Sequence, residues 1–421
     1  MVLADSTTRV GESIVLQRRA APRPRVTDDA GAEPRRLAKF HVPEILFGPE
    51  SLAEVAHAAL RLGARRPLLV TDPGLRAAGW PDRLLSHLAD AGLDAVVWDG
   101  VTPNPKDHEI AAGHQHYLAE ECDVVVALGG GSVIDAAKGI ALLVGNGGRI
   151  TDYEGVDRMA LPIPPMVMAP STSGTGADVS QFCIVTDTRR NAKITILGRA
   201  LVPDVSIVDP QLLTTMPDWL NAATGLDALT HGVEAFVSRA HNPLTDHHAL
   251  QAIALVGAHL ERTMDHPRDG EARTCMAQAA LQGGLAFTNA ILGAAHAMSH
   301  QVGGLLDLPH GVINGVLLPH VIRFNADAAP ERFVPIAQAL GFPGTTPDST
   351  AGARDAAEWA ACEVRRLADE LGVPRGLAEI GVTEADVDQL ALMTLADACL
   401  STNPREADKD DIEALFRTAL W

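Results

Sequence analysis

The chain has 421 residues, 47% of them hydrophobic and 21% charged, enough to bury real cores and, at roughly 100–200 residues per domain, to make two of them. A formal net charge of −19, from 53 acidic and 34 basic residues, would repel a phosphate backbone, so no nucleic-acid partner is expected. Five cysteines without a Cys-x-x-Cys pair argue against a disulfide framework and fit a reducing, cytoplasmic setting, while the longest apolar stretch, residues 124–144, is broken by Asp135, Lys138 and several glycines and spans no membrane.

Residues 1–38 carry Pro22, Pro24, Pro34 and a scatter of arginines with few large apolar side chains, and read as a flexible extension. From Phe40 onward short apolar runs alternate with amphipathic stretches. Strands are predicted at 67–71, 94–98, 123–128, 166–168 and 205–208, with helices at 83–92 and 107–121 between them. Strand and helix alternating at this spacing imply a parallel sheet covered on both faces. After Pro217 the β signal fades into Ala/Leu-rich helical stretches at 220–238, 246–264, 271–286 and 353–371. The expected organisation is an α/β domain over 39–215 and a helical domain over 216–421.

The predicted strand at 123–128 runs straight into Gly129-Gly130-Gly131-Ser132, followed by Val133-Ile134-Asp135. Glycines at a strand-to-helix turn let backbone approach a diphosphate, and the following helix offers free N–H groups and the positive end of its dipole. The strict G-x-G-x-x-G pattern fails, because Ile134 holds its last position. A second loop, with Ser171, Thr172 and Thr175, follows the predicted strand at Met166 and points to the same crevice. Asp72, just past the first clear strand, is placed to accept from a ribose 2′-hydroxyl and would repel a 2′-phosphate, favouring NAD over NADP.

Asp227 and His231 stand four residues apart, on one face of a predicted helix. Downstream, His296 and His300 share the same spacing, and His310 follows Pro309, which breaks one element and opens the next. Singly, each histidine reads as an ordinary core or surface residue. Together, Asp227, His231, His296 and His310 form a ligand-type set in Ala/Gly-rich helices, where an unpaired carboxylate would be costly. Nitrogen and carboxylate donors suit Fe(II), Zn(II), Co(II) or Ni(II).

In these motifs, and in the run from His296 through His310 to His320, the chain resembles the iron-containing (group III) alcohol dehydrogenases of the dehydroquinate synthase-like superfamily. The resemblance covers nearly everything from residue 40. It implies an N-terminal α/β, Rossmann-like domain with a parallel sheet, an all-α C-terminal domain, and an active site in the cleft between them. It implies NAD as cofactor, iron before zinc on Asp227, His231, His296 and His310, cofactor contacts from Asn104 and Lys193, and a homodimer or larger oligomer. His300 is left beside the nicotinamide, as proton relay or as a wall of its pocket. Asp178 stands where many relatives have glutamate, and the leader is longer than the family needs. A metal-dependent hydride exchange between a primary alcohol, or its aldehyde, and NAD(H) is the expected function. The alternatives are a regulatory relative without turnover, a hydroxyacid–oxoacid transhydrogenase and a carbon–oxygen lyase.

Overall fold

The computed structural model describes residues 39–344 and 349–421, so the extension expected over residues 1–38 lies outside the described residues. Among the described residues nine strands precede residue 210: β1 (Glu44–Phe47), β2 (Pro67–Val70), β3 (Val96–Trp98), β4 (Val124–Gly129), β5 (Gly155–Val156), β6 (Met166–Pro170), β7 (Phe182–Asp187), β8 (Ala192–Leu197) and β9 (Val205–Val208). Helices α1 (Val55–Arg61), α2 (Pro73–Ala78), α3 (Trp80–Asp90), α4 (Asp107–Ala119) and α5 (Gly131–Asn146) interleave with them. Six strands form one sheet in the order β1-β9-β6-β4-β2-β3, every pairing parallel.

Period-two side chains explain why the central strands are apolar throughout. Leu68, Val70, Val125, Ala127, Met166 and Met168 join one core with Ile110 of α4 and Ile134 and Ile140 of α5. Their neighbours Leu69, Val126, Leu128, Val167 and Ala169 pack on the other face against Val55, Leu84 and Leu88. At about 1.5–3 kcal/mol for each large apolar side chain, both faces hold the sheet. From β2 the chain runs outward to β3, then crosses back to β4 on the far side of β2. The loops leaving β2 and β4 therefore diverge, opening the crevice of a doubly wound sheet.

The structure trims and adds to the predicted elements. Asp123 lies outside β4 because its carboxylate accepts from the amides of Arg65 (2.9 Å) and Arg66 (3.1 Å). The edge strand β1 and the antiparallel hairpin of β7 and β8, with β5 added alongside, were not predicted. β1 is four residues long, and its pairing partner β9 lies far along the chain.

Beyond Val208 the α signal holds: α6 (Asp218–Val237), α7 (Pro243–Asp265), α8 (Gly270–Ala290), α9 (Ala294–Leu306), α10 (His310–Ala326), α11 (Pro330–Ala339), α12 (Thr350–Glu370), α13 (Val387–Leu395) and α14 (Lys409–Ala419) follow. α6 is buried on all sides from Asn221 to Val237, the pattern of a helix surrounded by others. Close approach needs glycine there: a Cβ on Gly311 would stand 1.9 Å from the carbonyl oxygen of Ala223. Lys39–Trp421 forms one compact unit. Among the described residues no helix is long and apolar enough to cross a membrane.

Candidate active site

A cleft of about 770 Å³ lies between the turn after β4 and the helices α6, α8, α9 and α10. On its sheet side are Asn104, Gly131, Ser132, Asp135, Thr175 and Lys193, all named from the sequence. Gly130 precedes α5 and offers no side-chain cap, the first turn of α5 holds no acid, and the amides of Val133 and Ile134 donate to Gly130 O, which leaves those of Gly131 and Ser132 for an anion. A Cβ on Gly130 would lie 3.0 Å from Thr172 Cγ2, and one on Gly131 2.7 Å from Thr175 Cγ2, so the two loops meet where glycine leaves room. Ser171 is tied to the turn by its amide, which donates to Gly129 O at 2.9 Å. The buried hydroxyls of Thr172 and Ser173 have no hydrogen-bond partner among the described residues. Free amides, orphaned hydroxyls and close-set glycines fit a dinucleotide diphosphate.

Asp72, Gly129, Gly130, Ser171 and Thr172 are not among the residues that line this cleft. Asp72 sits at the β2–β4 divergence, where Thr71 Oγ1 donates to Leu128 O at 2.9 Å, and its own Oδ1 caps α2 through the amide of Leu75 (3.0 Å). Asn104, in the left-handed region at φ 54°, donates through its amide N–H to Ser132 Oγ (3.1 Å) and through Nδ2 to Asp307 Oδ1 (2.6 Å) at the end of α9. Lys138, fully buried, fastens α5 to the second loop by donating to Ser180 O (2.7 Å), Ser180 Oγ (3.1 Å) and Phe182 O (2.9 Å). Burial pulls the Lys193 ammonium down to about 8 against the attraction of Asp307, Asp227 and Asp135, and pushes the Asp135 carboxyl up to about 7.

Across the cleft, the side-chain atoms of Asp227, His231 and His296 lie within 4.8 Å of one another, all three residues buried. The spacing of four on α6 delivers the first two, with His231 Nε2 4.0 Å from Asp227 Oδ1. His231 Nδ1 donates to Gly174 O at 3.1 Å, which leaves Nε2 bare toward the carboxylate. His296 arrives from the first turn of α9. Its Nδ1 donates to Glu234 Oε2 at 2.6 Å, and its Nε2 lies 3.6 Å from Asp227 Oδ1. Glu234 continues the α6 stripe one turn past His231 and also accepts from the amides of Gly293 (3.1 Å) and Ala295 (2.6 Å), capping α9. Asn314 on α10 donates through Nδ2 to Asp227 Oδ1 at 2.8 Å, while its buried Oδ1 is without a partner among the described residues.

His310 lines the same cleft as the first residue of α10 but stays outside that three-residue cluster. Its ring stacks on His300 with centres 5.1 Å apart, and Ser299 Oγ lies 3.2 and 3.4 Å from its two nitrogens. The charge balance points to a cation. Burial alone would raise Asp227, yet His231 and His296 hold it well below the carboxylate range; burial lowers His231 to about 4. Burial also opposes a charge on His296, but Asp227 and Glu234 on either side raise it to about 9. Two buried carboxylates, with the bare Nε2 of His231 and an orphaned amide oxygen beside them, fit a divalent ion.

His300 is buried at the meeting of the two sides, its Nδ1 donating to Asp397 Oδ2 at 2.9 Å. Glu234, Asn314 and Asp397 were not named from the sequence. Glu234 was within reach, seven residues past Asp227 on the same stripe, and Asn314 stands four past His310. Asp397 gave no local signal, since 97 residues separate it from His300.

A crevice for a dinucleotide facing a histidine–carboxylate cation site defines a class, the metal-dependent oxidoreductases that use a nicotinamide cofactor. The profile described as iron-containing alcohol dehydrogenase matches residues 43–210, and that of the Fe-containing alcohol dehydrogenase family, C-terminal, matches residues 221–420. The chain belongs to the iron-containing alcohol dehydrogenase family. It is 43% identical over 389 residues to a 1,3-propanediol dehydrogenase of Citrobacter freundii, covering 91% of this chain and 99% of that one. It is 39% identical over 381 residues to an NAD-dependent methanol dehydrogenase of Bacillus methanolicus, covering 90% and 99%. A solved 1,3-propanediol oxidoreductase superposes with a TM-score of 0.87 at 42% identity, covering 91% of this chain and 100% of that one. An alcohol dehydrogenase from Oenococcus oeni gives 0.86 at 36%, with the same coverage. The reaction is hydride exchange between an alcohol, or its aldehyde, and NAD(H).

Proposed function

We propose that the chain oxidises short primary alcohols or diols, or reduces their aldehydes, with iron(II) as the resident metal. One observation carries this reading: the cluster of Asp227, His231 and His296 opens into the same cleft as the free start of α5. Asp227, His231 and His296 would hold the ion, with His310 the fourth donor facing it. Gly130–Ser132 and the second loop would hold the diphosphate, and Asp72 the adenosine ribose. When bound, the ion would supply positive charge that eases loss of the hydroxyl proton, and the dinucleotide would supply the acceptor for the hydride of the carbinol carbon.

The chain's own residues do the rest. Phe182, Ile184, Phe287 and Leu292 give the cleft apolar walls that exclude water around a short carbon chain. Phe287 stacks on His231 with ring centres 4.4 Å apart and fixes that ligand's plane. The hydroxyl proton needs an acceptor inside the cleft. His300 Nε2 faces it without a hydrogen-bond partner among the described residues, and we assign the proton to that atom. The relatives named for propanediol and methanol support small substrates.

The test is NADH formation at 340 nm by anaerobically purified protein with a panel of primary alcohols and diols, before and after chelation. Fe(II) or Zn(II) is then added back to the wild type and to Asp227→Ala. Chelation should abolish turnover, Fe(II) should restore it more fully than Zn(II), and Asp227→Ala should stay roughly 10³-fold down through loss of several kcal/mol of charge stabilisation. Turnover that survives both chelation and the substitution would remove the metal from the reading.

A further inference from the structure

We propose that Asp397 is the positioning residue for His300, holding its proton on Nδ1 and its bare Nε2 in the cleft. This rests on the reading of His300 given above. Asp397 precedes a short 3-10 turn at Ala398–Thr402, outside every element that carries the metal set. Its side chain is 5% exposed, as is that of His300. Both carboxylate oxygens are committed. Oδ1 accepts the amide of Cys399 at 2.9 Å, capping the turn. Oδ2 accepts His300 Nδ1 at 2.9 Å and Gln301 Nε2 at 3.2 Å.

A carboxylate accepts and never donates, so this arrangement dictates the tautomer: the imidazole proton must sit on Nδ1. Gln301, one residue further along α9, is itself oriented by donating to Ala297 O at 3.1 Å, so it fills the remaining side of Oδ2 with a second donor. On its outer face the His300 ring is stacked on His310, the planes 15° apart. Stacking sets the ring's plane, and the Asp397 bond sets its rotation within that plane. Asp397 makes no hydrogen bond to Asp227, His231 or His296, while the His300 ring meets that of His296 edge-on with centres 6.2 Å apart. Asp397 thus acts on the proton through His300 and itself holds neither the ion nor the dinucleotide.

Asp397→Asn is the discriminating variant. With its single oxygen still capping Cys399, the new amide would present N–H to both Gln301 Nε2 and His300 Nδ1. His300 then keeps a hydrogen bond only by moving its proton to Nε2, the atom that must be bare. The bulk and the cap survive, and thermal melting checks that they do. In holoenzyme of equal metal content, kcat for alcohol oxidation should fall roughly 10- to 100-fold, the range for lost orienting partners of this kind. KM for the alcohol and the dissociation constant of NADH should stay within about twofold, and the solvent deuterium isotope effect on kcat should grow as proton removal becomes limiting. His300→Ala should be at least as slow, and His300→Ala/Asp397→Ala no slower than His300→Ala alone. A slow His300→Ala beside Asp397→Asn at wild-type kcat would overturn the role of Asp397 and leave that of His300 standing. Losses that multiply in the double variant would also overturn it, since Asp397 would then act elsewhere. His300→Ala at wild-type kcat would overturn the reading of His300 itself, and this inference with it.

Discussion

The two walls of the cleft are built by different means. The sheet wall presents backbone: free amides at the start of α5, and glycines that leave room for the loop of Ser171–Gly176. The helical wall presents side chains, each fixed by a second buried group: His231 by Gly174 O, His296 by Glu234, Asp227 by Asn314. A backbone wall tolerates changes of charge but not of volume, and a side-chain wall the reverse. That contrast says where substitutions should hurt and by how much.

Among the groups that orient the ligands or shape the walls, the largest effect should come from Glu234→Gln. Glu234 uses Oε1 for the Ala295 amide and Oε2 for Gly293 and for His296 Nδ1. Glutamine has one oxygen, so its amide N–H must oppose either the α9 start or the imidazole proton. In the second case the proton moves to Nε2 and blocks a ligand. Metal affinity, measured by competition with a chromogenic chelator, should fall roughly 10- to 100-fold while NADH binding is unchanged. An unaltered metal affinity would mean the helical wall does not depend on its orienting groups.

These dependencies explain what the sequence could reveal. Asp227 and His231 were legible because a spacing of four on a helix is a local geometric fact. The glycine turn was legible because β4 led directly into it. Asp397 was not, since nothing near residue 300 encodes a partner that reaches it only through the tertiary fold. β1 was hidden for the same reason: four residues at a sheet edge owe their strand to β9. Asp72 was named for a ribose, and the structure adds that it caps α2, a role the Asp-Pro-Gly run also encodes. His310 was placed with the ligands, and the structure shows it lining the same cleft, its ring centre 5.1 Å from those of both His296 and His300.

On the sheet wall, Gly131→Ala tests volume without charge. Its Cβ would stand 2.7 Å from Thr175 Cγ2 and 3.2 Å from Thr175 Oγ1, so the second loop must shift away from α5. Overpacking of this kind costs about 1–3 kcal/mol, and NADH binding, followed by fluorescence titration, should weaken about tenfold. Metal affinity should not move. A parallel loss of both would show the walls to be coupled.

The smallest effect belongs to Asp72→Asn, a change of charge on the sheet wall. Asparagine keeps an oxygen for the Leu75 amide, so the start of α2 is preserved and only the negative charge is removed. Asp72 is half-buried at the edge of the crevice, where a charge interaction is worth up to about 1 kcal/mol rather than the several a buried pair commands. A 2′-phosphate is repelled by the aspartate and not by the asparagine, so the ratio of kcat/KM for NADP⁺ to that for NAD⁺ should rise about two- to fivefold. An unchanged ratio would leave Asp72 as a helix cap alone and move the choice of cofactor to another residue. A rise far beyond that range would mean that the sheet wall reads charge as strongly as the helical wall does, and the contrast between them would fail.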